Sequence, residues 1–514
     1  MLTDSSAFPT TTPFSGRPGP RLSMRPALRW ASVAFALLLL AGCFGGSKRP
    51  DYAAVEADVD AHAAPFLLQT HDDERGHYDA SLHNGSWNME LVGYHNGVDD
   101  SGDANRIPGD GYYTELAVTS QYAYLSRASA SGGYGGFVIL NIHDDPSHPR
   151  LVGQFNGLGS ADIEVNADES LAFLATQRNL PPQMAQSIAG SGDPKAGLPR
   201  GIYVVDIRDK TNPSLASFFP MPVNGPHTLT YYHHPNGNDY LVACTYDLVT
   251  DPGTGAIVAT LGVTQRVIVL QVVEPDQEPG AAPGPATLVP VSEYSIPEQA
   301  PAGRLFMPHD SRVQVHPTWD GGDHVLLYVA YWDKGLRILD MTDPAQLRDV
   351  GASTDFTPSA LNNIHLAQPF DEPIAGRHVT VTQPEIPQVD GETGQLTFFD
   401  TTDPTKPQKL GHWTLPPGDQ GQLGITDFLF SPHNFDLWDG KVALAHFHAG
   451  VWVIDVHDGL NLQAPKSVGF YMPHVPRDDA PSPQPNTWGV FEQDGLLYAV
   501  DESTGLYVLR YTGP

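Results

Sequence analysis

The sequence predicts an all-β protein, a seven-bladed β-propeller whose ring is closed by an N-terminal outer strand joining the C-terminal blade. Three observations predict it. A short two-strand unit recurs along most of the chain. Glycine (50) and proline (47) are abundant, as many short strands joined by turns require. The last unit stops one strand short, while a strand of the missing kind precedes the first.

The clearest copy of the unit is Leu327–Pro344, LYVAYWDKGLRILDMTDP. Tyr328–Tyr331 is a small apolar run, and Leu336–Asp340 alternates apolar and polar residues. Trp332–Gly335 joins the two as a turn. Asp343-Pro344 ends the second strand, because proline fixes φ and donates nothing to a ladder. Further copies start at Gly135 (GGFVILNIHDDPSHPRLVG), Gly201 (GIYVVDIRDKTNPSLAS), Gly394 (GQLTFFDTTDPTKPQKLG), Gly450 (GVWVIDVHDGLNLQAPKSVG) and Gly505 (GLYVLRY). A degenerate copy, RVIVLQVVEP, starts at Arg266. Self-similarity at this spacing signals a propeller, a solenoid or an array.

The unit resembles that of the LVIVD-repeat family, from about Trp87 to Tyr511. The resemblance implies a β-propeller and says little about chemistry, because propellers host many functions. Each blade is expected to hold four antiparallel strands, a innermost and d outermost, with the motif supplying b and c. The phrase Leu-Val-Gly or Lys-Leu-Gly supplies d. The blades then run Tyr113–Phe155, Asp162–Phe219, His227–Tyr294, His309–Val350, Ile364–Trp413 and His433–Phe470. Two long polar insertions, Asn179–Arg200 and Pro275–Pro285, read as surface excursions. The seventh blade, Trp488–Tyr511, has three strands. Met89–Tyr94 (MELVGY) supplies the fourth, which removes exposed edges and ties the two ends of the chain together.

Residues 1–43 read as an N-terminal extension and a lipoprotein signal peptide. Met1–Ser23 carries no pattern, and Met24 reads as the true start. Arg25 and Arg29 precede the apolar run Trp30–Leu40, which is too short to span a bilayer comfortably. Leu40-Ala41-Gly42-Cys43 resembles the lipobox of prokaryotic lipoproteins. That resemblance implies cleavage before Cys43, a lipid on its thiol, and a membrane-anchored, extracytoplasmic protein at the cell surface or in the periplasm. Residues 44–86 read as a tether and an irregular acidic segment, and residues 87–514 as the propeller. The net charge of −31 argues against nucleic acid as a partner. With Cys43 lipidated, no internal disulfide is possible, and Cys244 in YLVACTY reads as a buried small residue. His233 and His234, beside a Pro-Asn-Gly turn, read as solvated.

No standard catalytic motif is present: no G-x-S-x-G, H-E-x-x-H or P-loop. Gly132–Gly136 reads as a hairpin turn. One pattern stands out. Aligned by distance to strand b, His227, His309, His365 and His433 take one position in four consecutive inner strands. Thr114, Ile163 and Trp488 take it in the other three. Inner strands line the channel, so four imidazoles would converge on one mouth, where they suit copper, zinc or iron. Repeat duplication alone would also leave such histidines, bonded to neighbouring backbone. Asp310, Glu115 and Glu164 follow as carboxylates that alternation can turn away from the metal. A second polar ring is expected at the b-strand ends: Arg127, Arg178, Asp247, Asp333, Glu385, His448 and Asp501. His446 and His448 are expected to face the same way.

The histidine placement is also similar, more weakly, to that of the selenium-binding and methanethiol-oxidase propellers, which implies copper. Two functions follow. One is a tethered binding or scaffold module for a protein, peptide or glycan. The other is a metal-dependent, most plausibly copper-dependent, oxidoreductase. A hydrolase using metal-activated water is third.

Overall fold

The computed structural model describes residues 49–67, 85–97, 112–128, 135–156, 162–176, 201–221, 225–246, 248–250, 257–260, 265–274, 285–298, 300, 304–317, 319–353, 364–385, 396–416, 431–473 and 485–514. Met24, Cys43, the excursion Asn179–Arg200, most of the Pro275–Pro285 insert, Arg178 and Asp247 lie outside them. Among the described residues, no helix is long and apolar enough to cross a membrane.

Seven antiparallel sheets of the expected kind follow one another. Their inner strands are Tyr112–Val118, Asp162–Val165, Pro226–His233, Pro308–His316, Ile364–Pro369, Pro432–Trp438 and Thr487–Gln493. The seventh sheet is completed from the other end of the chain. Met89–His95 pairs antiparallel with Gly505–Tyr511, in a register running from Met89 opposite Tyr511 to His95 opposite Leu506. Blade three carries an added hairpin, Leu248–Thr250 with Ile257–Thr260, inside its b–c connection.

Burial follows from the alternation of the strands. Both faces of each sheet meet a neighbouring blade, so the b and c strands are buried along almost their whole length. The apolar side chains sort by interface. Ile139 and Leu174 share a cluster between blades one and two. Leu125 and Val508 share one between blades one and seven, where the ring closes.

The glycine of the Leu-Val-Gly phrase has a packing cause. In the outer strand it follows a β-bulge and faces the c–d turn of the next blade. A Cβ on Gly153 would lie 1.9 Å from the Lys210 carbonyl oxygen. On Gly351 it would lie 2.2 Å from that of Pro404, and on Gly93, 2.2 Å from that of Pro146. Blades two and three place Ser217 and Ser292 at this register position instead. There the hydroxyls donate to the carbonyls of Ala286 and Pro344 in the next blade. The close approach is thus kept either by removing the side chain or by converting it into a hydrogen bond.

The irregular segment expected before Ser86 is partly helical. Tyr52–Leu67 forms helix α1, capped by Asp51, whose carboxylate accepts from the Ala54 N–H at 3.3 Å. Val59 and Ala63 join the core between blades five and six, while Tyr52 and Val55 join that between six and seven. Glu56 pairs with Lys466 at 2.7 Å, and His62 stacks on Trp87 at 3.6 Å. Ser86–Trp87 then adds a fifth strand to blade six. The stripe Tyr52, Val55, Val59, Ala63 was hidden in the sequence because Ala53, Ala54 and Ala61 are exposed and blur the contrast between faces.

One smaller expectation changes. His234 is buried, 3% exposed, with Nε2 against the Met341 carbonyl at 3.2 Å in the next blade and Nδ1 accepting from the Asn236 N–H. Its partner His233 is exposed and meets Asp239 at 2.6 Å. Cys244 is buried as expected, and burial pushes its thiol up.

Candidate metal centre

The histidines reach the channel through a backbone device. In blades three to seven and in blade one, the inner strand carries a β-bulge near its start. Pro308 pairs with Tyr331 and Ser311 with Val329, so His309 and Asp310 together oppose Ala330. A bulge inserts a residue, suspends strict alternation and re-aims a side chain. The same bulge holds His227, His365, His433, Trp488 and Thr114, in agreement with the alignment. Blade two differs. Asp162 pairs with Ala175 and Ile163 with Leu174, without a bulge. Ile163 therefore does not take the histidine position. It is buried in the core between blades one and two.

The four rings form a continuous arc around the channel. Centroids are 4.4 Å apart for His227 and His309, 4.1 Å for His309 and His365, and 4.3 Å for His365 and His433. Trp488 continues the arc at 4.4 Å from His433. Glu385 completes the group: its Oε2 lies 3.8 Å from Nε2 of His309 and 3.9 Å from Nε2 of His365. Among the described residues, His309, His365 and Glu385 are the one set of three whose ligand atoms all lie within 4.8 Å of one another. His227 and His433 flank that set.

Burial holds the imidazoles neutral. Desolvation lowers His309 and His365 well below the usual histidine value, with neighbouring histidines adding to the effect. It takes His227 to about 4 and His433 to about 3. Neutral rings keep a lone pair for a metal. Nδ1 of His433 meets the Trp488 carbonyl at 2.6 Å, which fixes its proton there and turns Nε2 outward as an acceptor. The amide of Gln383 donates to Nδ1 of His365 at 3.2 Å, which leaves the proton of that ring on Nε2, facing Glu385. Gln383 itself is oriented by accepting from the Leu366 N–H and donating to the His433 carbonyl. Nδ1 of His309 is buried without a partner. The Glu385 carboxyl, with 28% of its side chain exposed, is pushed upward by desolvation. The Ser431 hydroxyl anchors the Glu385 carbonyl.

The expected second ring mixes three register positions. Arg127, His446 and Asp501 pair with the residue of strand a just before the bulge. The next position carries Tyr246, Trp332, Glu385 and Phe447, and the one after that carries Asp333 and His448. The count slips because strand b runs into one turn of 3₁₀ helix at Trp332–Lys334 and Phe447–Ala449. For the same reason His446 and His448 do not share a strand face. His446 is fully buried with neither ring nitrogen bonded. Asp333 accepts from the Leu305 N–H, and Asp501 accepts from the N–H groups of Asn486, Ser503 and Thr504, so both acids hold loops. Among the described residues of that ring, Glu385 meets the histidines. Its register position otherwise supplies aromatic walls: Trp332 stacks on His309 at 4.9 Å, Tyr246 lies 4.9 Å from His227, and Phe447 lies 5.0 Å from His433. The sequence held the signal for these, since each is the first residue after an apolar b strand.

The expected carboxylates lie on a second level. Glu115 and Asp162 share the place of Asp310, next to the bulged position, while Glu164 takes that of Arg312. Glu115 comes within 4.0 Å of Nδ1 of His433.

The LVIVD repeat is matched at residues 110–157 and 326–354, which are blade one and the b–d strands of blade four. No curated protein matches the sequence. Among solved structures, a putative 6-phosphogluconolactonase from Bacteroides fragilis is similar at 12% identity and TM-score 0.46, covering 77% of this chain and 95% of that one. The β-propeller domain of Cps50 from Myceliophteria thermophila is similar at 10% identity and TM-score 0.42, covering 78% and 97%. The repeats, the seven sheets and the N-terminal closing strand together identify the chain as an LVIVD-repeat β-propeller.

Proposed function

We propose that this propeller binds a transition-metal ion at the mouth of its channel and presents it to a small molecule. The observation that carries the reading is the set His309, His365 and Glu385, with ligand atoms within 4.8 Å of one another. Two imidazoles and one carboxylate are donors suited to zinc or non-haem iron(II), and three protein ligands leave a position for water or substrate. Recruitment of His227 or His433 would shift the preference toward copper. Taking a metal at Nε2 would move the His365 proton to Nδ1 and turn the Gln383 amide, while the Glu385 carboxyl, pushed up to about 7 by burial, would give up its proton, so uptake is coupled to proton release. Tyr246, Trp332, Phe447 and Trp488 crowd the rings and favour a small, weakly polar ligand. Redox chemistry on such a molecule is the enzymatic form of this reading, supported by the similar histidine placement in methanethiol-oxidase-type propellers. Cys43 and the leader before it support an extracytoplasmic, lipid-anchored protein.

The test is elemental mass spectrometry of the purified full chain beside His309→Ala, His365→Ala and Glu385→Ala. About one zinc, iron or copper per chain, lost in each variant, is expected for a three-ligand site. No metal after reconstitution with all three would sink the reading. A tethered binding module for a protein, peptide or glycan would then remain. Cys43→Ser should move the protein from the membrane to the soluble fraction.

A further inference from the structure

Beyond the histidines the channel opens into a chamber of about 200 Å³. Glu115 of blade one, Asp162 and Glu164 of blade two, Asp310 and Arg312 of blade four, and Asn434 of blade six line it. These side chains come from the register position of Asp310, which lies in a bulge in every blade but the second, and from the position two residues further along the strand, so they face the channel together. Four carboxylates therefore surround one guanidinium. Arg312 donates through Nη1 to Asp310 at 3.2 Å and to the Ser311 carbonyl at 2.8 Å. Asp162 accepts from the N–H groups of Leu229 at 2.6 Å and Ile163 at 2.7 Å. Hydrogen bonds orient these acids, but one cation does not balance four carboxyl groups, and desolvation pushes each of them upward.

A second observation is independent of charge. Asn434 is 5% exposed. Its amide NH₂ donates to Glu115 at 2.7 Å, and that carboxylate partner fixes which end of the amide is which. The other end, Oδ1, is a buried acceptor with no partner. An orphaned carbonyl oxygen in a carboxylate-lined chamber calls for a donor or a cation. Among the described residues no three of these acids bring oxygens within 4.8 Å, so the chamber does not wrap a bare ion. Its volume equals that of about seven waters at roughly 30 Å³ each, enough for an ion that keeps part of its shell.

We propose that this chamber is a second cation site, distinct from the histidine centre, which takes a hydrated, oxygen-seeking divalent ion, Mg²⁺ or Ca²⁺. Asp162, Glu164, Glu115 and Asp310 supply the charge and Asn434 Oδ1 a neutral oxygen. The ion links blades one, two, four and six across the channel.

The test uses the full chain, stripped with chelator and dialysed against Ca²⁺ or Mg²⁺ in potassium chloride at about physiological strength, to screen surface acids. One of the two ions should bind and raise the melting temperature, and the arm that responds identifies it. Asp162→Asn/Glu164→Gln should weaken binding at least tenfold and melt above the stripped parent, because repulsion is relieved. It should keep its transition metal. Should the double variant not fold, Glu164→Gln alone, isosteric with the parent, reads the same loss. Neither ion binding at millimolar concentration, or undiminished binding by the folded variant, would overturn the proposal and leave protons as what neutralises the chamber.

Discussion

Replacing Gly351 by alanine tests whether the repeat's glycine is there for contact between blades. The new Cβ would lie 2.2 Å from the Pro404 oxygen and 2.9 Å from Cα and the carbonyl carbon of Thr405, where an ordinary contact needs at least 3.4 Å. The opposing turn must retreat by about 1 Å, and it is tied down. Asp403 accepts from the Thr405 N–H at 3.1 Å and from its hydroxyl at 2.6 Å. Overpacking of this kind costs about 1–3 kcal/mol. Alanine returns about 0.4–1 kcal/mol by restricting the unfolded chain. The clash wins, and the net loss is about 1–2 kcal/mol. Serine carries the same Cβ but can donate to the Pro404 oxygen, as Ser292 does to that of Pro344. It should recover about 1 kcal/mol, giving the order Gly, Ser, Ala. Gly322→Ala, whose nearest neighbour is the far end of His324 at 3.9 Å, serves as control. Urea unfolding midpoints at unchanged m-value read the difference. Alanine within about 0.3 kcal/mol of the parent, or more stable than serine, would refute the packing account.

Further predictions concern closure, pH and the metal. Deleting Trp87–Tyr94 should lower the melting temperature of the whole propeller, because blade seven loses its outer strand and blade six its added one; an unchanged melt contradicts the closure. Stability should fall as pH drops below the usual histidine value of 6.5, since His433 and His446, both lowered to about 3, stay neutral in the fold while the unfolded chain takes up protons. At pH 5 each costs about 2 kcal/mol, so His446→Gln should flatten the acid side of a denaturant-measured stability profile by that amount. The apparent affinity for zinc should weaken between pH 8 and 6, with proton release detectable by an indicator dye. Glu385→Gln should lower it by an order of magnitude or more while the melt of the metal-free protein stays close to the parent.

The blades were legible because strands announce themselves by alternation and by the Asp-Pro turn, and the closing strand because Met89–Tyr94 repeats the outer-strand phrase. Helix α1 was not, since its buried stripe is small and alanines surround it. The histidine position was readable by counting from strand b, and it failed only in blade two, where the bulge that the count assumed is absent. Glu385 was placed in the wrong company for a related reason: short 3₁₀ turns after Tyr331 and His446 shift the count by one. Where the backbone departs from a period of two, a sequence count loses track of which side chains share a space.

The pairing of Met89 with Tyr511 has a consequence for how the molecule comes into being. The strand that finishes the last blade is among the first made, and its partner is synthesised more than 400 residues later. During that interval Leu91 and its neighbours have no ladder to join, and the first six blades have no closed ring. Completion is therefore a late event that waits for Gly505–Tyr511 to be made, and contacts of such sequence separation form slowly. A protein arranged this way stays open until its last blade has emerged, so any factor that guards or loads the nascent chain before then meets an unclosed ring.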